Sequence, residues 1–61
     1  MNMKKAILLT LEDSGPASFV DILGAAYLVS EDFSAEVLPG VLQQLVRTNI
    51  VRVQAGVYQI V

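Results

Sequence analysis

The chain has 61 residues, 54% hydrophobic and 16% charged, with four basic residues against six acidic ones and a net charge of −2. Histidine and cysteine are absent, which excludes a disulfide framework, a thiolate or imidazole zinc site and the usual nucleophile–base pairs of catalysis. A single small core is all this length can hold, so surplus apolar side chains must lie on the surface. They are either scattered singly, as is normal, or gathered in a patch that marks an interface.

Lys4 and Lys5 precede an apolar run, Ala6 to Leu11, in the manner of a signal peptide. The run is short, Thr10 interrupts it, and Glu12-Asp13 follow at once, so a helix of the domain is expected instead. No segment reaches the ~20 apolar residues that span a bilayer. The expectation is a soluble, cytoplasmic chain with no membrane partner.

The first helix is expected from Met3 to Asp13, with Ile7, Leu8 and Leu11 inward and Lys4, Lys5 and Glu12 outward. Ser14-Gly15-Pro16 stops it, glycine in an αL cap and proline beyond. Ser18 is the N-cap of a second helix, with Asp21 three residues on as a weak capping box. Its apolar stripe is Phe19, Ile22, Leu23, Ala26 and Tyr27. Gly24-Ala25-Ala26 is a small-residue face, suited either to tight intramolecular packing or to a helix–helix dimer contact.

Ser30-Glu31-Asp32 breaks the chain, Phe33 plugs the core and Ser34 caps the next turn. Proline inside a helix removes a hydrogen bond and clashes with the preceding turn. Either one helix bends at Pro39 or the chain breaks before it; the break is favoured, with the main third helix from Pro39 to Thr48. Val41, Leu42, Leu45 and Val46 face inward, while Gly40, Gln43, Gln44 and Arg47 face outward. Asn49 takes the left-handed stop.

Two alternating runs follow, Ile50 to Gln54 and Val57 to Val61. Pairing Val53 with Tyr58 and Val51 with Ile60 puts four apolar side chains on one face, and a one-residue slip would turn Gln59 inward. Ala55 is poor at positive φ, so a type I turn with Gly56 in αL is expected rather than type I′. The fold class is α+β: a single domain, 1–61, of three helices followed by a C-terminal β-hairpin.

Helix, left-handed stop, hairpin and inward Tyr58, with Leu42, Leu45, Val51 and Ile60, resemble the third helix and wing of the winged helix-turn-helix superfamily. The resemblance in element order runs from Ala6 to Ile60. DNA-binding members put the third helix in the major groove and the wing over the adjacent backbone. That resemblance implies base-edge or phosphate contacts from Gln43, Gln44 and Arg47, and wing contacts from Arg52 and Gln54.

Electrostatics opposes a direct transfer. Affinity for DNA comes largely from Lys and Arg neutralising phosphates, and this chain offers only Lys4, Lys5, Arg47 and Arg52. Glu31, Asp32 and Glu36 stand just before the third helix, where they repel a phosphate backbone or favour the helix dipole. No phosphate-cradling glycine loop occurs, and the paired acids Glu12-Asp13 and Glu31-Asp32 fit helix ends better than acid–base chemistry. No enzyme activity, cofactor or small-molecule substrate is expected.

The leading expectation is a non-catalytic module acting by protein contact, as a homodimer, an adaptor or a small inhibitor of a larger protein. Its contact surface is Gly40, Gln43, Gln44 and Arg47 with Arg52, Val57 and Gln59. Leu9 belongs to a second, self-association surface. The alternative is a small sequence-specific DNA-binding regulator using Lys4, Lys5, Gln43, Gln44, Arg47, Arg52 and Gln54.

Overall fold

In the computed structural model, which describes residues 1–61, Asn2 opens the first helix. Its side chain accepts from the Lys5 N–H at 2.8 Å, and α1 runs over Met3–Ser14. Met3, Ala6, Ile7 and Leu11 are buried along one stripe. The Gly15 N–H donates to the Leu11 carbonyl at 3.0 Å and ends the helix. Gly15 has φ 76° but ψ −157°, so it takes a positive-φ extended conformation, which glycine permits, rather than the expected αL cap.

Directly after Pro16 the chain forms a strand not expected from its sequence. This β1, Ala17–Ser18, pairs antiparallel with the last strand through Ala17–Tyr58 and Ser18–Val57. Two residues carry no alternation to detect, and their partner lies some forty positions away. The sheet therefore has three strands in the order β1-β3-β2, where a two-stranded hairpin is expected from sequence.

Ser18 then caps α2, Phe19–Val29, its Oγ accepting from the Asp21 N–H at 3.3 Å. Ile22 and Ala26 turn into the core, with Phe19 and Leu23 at its margin. Tyr27 departs from expectation: it lies outside the core and is exposed. Asp21 is the only charged residue of this helix, so apolarity alone could not say which stripe faces in. Gly24 is exposed, and no atom stands within 4 Å of where its Cβ would be. Intramolecular close packing does not use it.

The segment after α2 ties back to the start of the chain. Asp32 Oδ1 accepts from the Met3 N–H at 2.9 Å and from the Ser30 hydroxyl at 2.6 Å. The terminal amine of Met1 pairs with Glu31 at 3.3 Å, and the Glu31 N–H donates to the Met1 carbonyl at 2.8 Å. These two acids thus serve the N-terminus of α1 rather than that of the following helix, whose first turn holds no acid.

After a turn in which Ser34 accepts from Val37 and Leu38 N–H groups, α3 runs over Leu38–Arg47 with proline in its first turn. Pro39 opens this helix and does not kink it, because the N–H it lacks would have been an orphan there. Leu38, Leu42 and Leu45 are buried. The strands β2, Val51–Gln54, and β3, Val57–Ile60, pair in the expected register, Val53 opposite Tyr58 and Val51 opposite Ile60.

The turn between them is not the expected one. Ala55 has φ 52° and Gly56 φ 77°, the two positive φ values of a type I′ turn. A two-residue loop in this register needs a primed turn to match strand twist, and that requirement overrides the steric cost at Ala55. The apolar face of the hairpin is also only partly covered: Val51 is buried and Tyr58 half-buried, while Val53 and Ile60 are 43% and 37% exposed.

The core joins Met3, Ile7 and Leu11 of α1, Ala17, Ile22 and Ala26, the three leucines of α3, and Val51. Its six largest fully buried side chains each contribute about 1.5–3 kcal/mol of transfer free energy. No helix is long and apolar enough to cross a membrane.

Candidate functional site

The outer side of α3 is anchored at its C-terminal end. At its C-terminus the Ile50 N–H donates to the Leu45 carbonyl at 3.0 Å and the Asn49 N–H to the Val46 carbonyl at 3.1 Å. Asn49 adopts φ 61°. This is a Schellman motif with asparagine where glycine is usual. The Thr48 hydroxyl adds a bond to the Gln44 carbonyl at 2.9 Å. The ridge residues therefore ride on a well-terminated helix that runs directly into β2.

Gly40, Gln43, Gln44 and Arg47 are all exposed along this ridge, and a groove lies on each flank. The larger, about 470 Å³, is lined by Lys4 of α1, by Val37, Gly40, Val41, Gln44, Leu45 and Thr48, and by Ile50. The smaller, about 310 Å³, lies between α3 and the hairpin and is lined by Phe19, Pro39, Gln43, Val46, Val53 and Tyr58. Gly40 has open space where a Cβ would stand, so the wall of the first groove is low at that point. Both grooves offer apolar walls with a polar rim of glutamines.

The residues expected from sequence divide into two groups. Gly40, Gln44 and Lys4 share one groove, Gln43 borders the other, and Arg47 stands on the ridge with them. Arg52, Gln54, Val57 and Gln59 form cross-strand pairs, Arg52 with Gln59 and Gln54 with Val57. Side chains alternate along a strand, so these four occupy the face opposite Val53 and Tyr58, which are the hairpin residues that meet α3. The expected combination of helix ridge with Arg52, Val57 and Gln59 is therefore not one continuous surface. Lys5 is exposed on α1 and lines neither groove. Val53 and Tyr58 are the additions: strand parity puts them on α3's side, but only packing reveals that Val53 remains open there.

Electrostatically the ridge is bare. The chain's only ion pair joins the terminal amine to Glu31, so Lys4, Lys5, Arg47 and Arg52 have no carboxylate partner. With its amide oxygen toward the guanidinium, Gln59 accepts from Arg52 Nε at 2.7 Å and Nη2 at 2.8 Å, which steadies that arginine across the strands. Asp32 is held below its ordinary value of 3.8, chiefly by the Ser30 hydroxyl; partial desolvation opposes, and its own N–H, the Met3 N–H and the terminal ammonium reinforce. All eleven buried residues are apolar, and no three of His, Cys, Asp or Glu stand close enough to hold a metal ion.

Comparison with protein-family models, with curated proteins and with solved structures finds no match to this chain.

Proposed function

We propose that this chain is a winged-helix-like, non-catalytic module that works by contacting another protein through the ridge of α3 and its two flanking grooves. The observation that carries this reading is the character of that surface. Three of its four ridge residues are uncharged, Gly40, Gln43 and Gln44, and the grooves beside them have apolar walls. Such a surface buries side chains of a partner and hydrogen-bonds at its rim, which is the anatomy of a protein interface. The three helices with a C-terminal hairpin folded against the third support the winged-helix reading.

The test is recovery of a partner by the tagged, full-length chain with and without Gln44→Ala plus Arg47→Ala. Both residues are exposed, so the fold tolerates the change within about 0.5 kcal/mol per site. Loss of the recovered protein supports the reading; undiminished recovery removes α3 from the interface.

DNA binding is the second reading, and one observation favours it: Lys4 is brought beside Gln44 in the same groove, and no basic side chain is engaged by an acid. Even if all four basic side chains met phosphates, log affinity would fall against log salt with a slope of about −3.6. That is about a hundredfold loss between 50 and 200 mM salt. Binding to a randomised duplex pool at low salt with that steepness would establish this reading, and no binding there would end it.

A further inference from the structure

We infer that the larger groove beside α3 takes an acidic, apolar segment of the partner protein, with a large apolar side chain seated on Val37, Val41 and Ile50 and a neighbouring carboxylate on the Lys4 ammonium. The inference rests on the reading of α3 as a protein contact, and adds which groove is filled and by what chemistry. Val37 and Ile50 are 52% and 38% exposed, and Val41 is half-buried. With the core residue Leu45 they make an aliphatic concavity of about 470 Å³, within the ~300–1,000 Å³ of pockets that enclose ligands. An apolar side chain entering it leaves water and covers these walls.

Charge selects the occupant. Lys4 is the only charged residue lining either groove. It is exposed, and no carboxylate stands within ion-pair distance of its ammonium. Arg47, one turn beyond Gln44 on the ridge, is equally unpaired. The acids are elsewhere or engaged. Glu12 and Asp13 lie at the other end of α1, about 12 Å along its axis from Lys4, and Asp21 is on α2. Glu31 holds the terminal amine, while Asp32 accepts from the Met3 N–H and the Ser30 hydroxyl. Glu36 alone precedes Val37 in the segment leading to the groove, and it pairs with no base.

The edge of this groove therefore presents Lys4 and Arg47 against Glu36, although the chain as a whole carries net −2. A carboxylate beside the seated side chain finds a cation there, and a basic segment is repelled. Duplex DNA brings the charge but leaves Val37, Val41 and Ile50 uncovered. An acid next to a large apolar side chain matches both halves of the site.

Selection of short random peptides displayed on phage against the immobilised full-length chain tests this. The enriched peptides are expected to carry Asp or Glu within about four positions of Leu, Ile, Phe or Trp. As labelled synthetic peptides they should bind about tenfold more weakly to Lys4→Glu and to Val37→Gln in fluorescence polarisation. Both positions are exposed, and circular dichroism verifies that each variant is folded. Changing the peptide's acid to its amide should weaken binding to the parent but not to Lys4→Ala, the mark of a direct pair. Equal losses on the two backgrounds overturn the inference, as does enrichment of basic or uncharged peptides, or of none. Displacement of the peptide by random duplex DNA at physiological salt overturns it in favour of DNA, and self-association abolished by Lys4→Ala overturns it in favour of a second copy. A partner lost with Gln44→Ala plus Arg47→Ala but indifferent to Lys4→Ala and Val37→Gln sinks this inference alone. A partner indifferent to the first pair sinks the α3 reading itself.

Discussion

The two surface helices α2 and α3 differ in how clearly their sequences divide inside from outside. In α3, three buried leucines alternate with Gly40, Gln43, Gln44 and Arg47, so the pattern itself assigns each side chain. In α2, Asp21 is the only charged residue and the apolar ones surround the helix. Ile22 and Ala26 are buried, while Tyr27 and Leu28, one and two positions on, are open to solvent. Amphipathicity tells which residues a helix can bury; where it is missing, packing against neighbours decides. The leftover apolar surface is then the informative part.

The sharpest test of this contrast compares one leucine from each helix. Leu42 is 1% exposed, and Leu42→Ala should cost about 2–5 kcal/mol. A domain of this length has only about 3–9 kcal/mol in all, so urea unfolding followed by circular dichroism should find that variant largely or partly unfolded. Leu28 is 83% exposed, and Leu28→Ala should change stability by less than about 0.5 kcal/mol. Similar losses at both positions would mean that α2 is packed quite differently.

A smaller effect, of opposite sign, is expected at the hairpin. Ala55 holds φ 52°, and a side chain in the left-handed region costs about 1–2 kcal/mol relative to an unstrained residue. Asparagine tolerates that region better, so Ala55→Asn should raise the urea midpoint by an amount equivalent to about 0.5–1 kcal/mol. A lowered midpoint would show that the turn is not of the primed type.

The smallest effect is confined to acid. Asp32 is depressed below 3.8 in the folded chain. Its stabilising contribution is therefore present above the ordinary carboxylate range and lost as pH falls through the folded value. Asp32→Asn should be less stable than the parent at neutral pH, and the two unfolding curves should converge as pH drops below that range. A constant gap at all pH values would detach Asp32 from the α1 terminus.

Much of the architecture was legible because it rests on local chemistry. Ser18 and Asn49 mark a helix start and a helix stop through backbone hydrogen bonding, Pro39 favours the opening of α3 over a kink within it, and parity sets the register of Val51 and Val53 against Ile60 and Tyr58. What escaped rests on distant partners. The strand Ala17–Ser18 exists only because β3 is beside it. The I′ turn follows from strand twist and not from Ala55's own preference. Asp32 reads as an acid before α3, yet it caps α1. The candidate surface shows the same division: the α3 ridge was readable from its pattern, whereas the separation of Arg52 and Gln59 from that ridge depends on which face of the hairpin meets the helix.

The central claim, that α3 presents its ridge to a protein, is tested most directly by a benzophenone side chain placed at Gln44 and photo-activated in cells expressing the chain. The account predicts a discrete, protease-sensitive adduct with a different protein from position 44, lost when Arg47 is changed to alanine. A nuclease-sensitive adduct from position 44 would contradict it and make α3 a nucleic-acid contact.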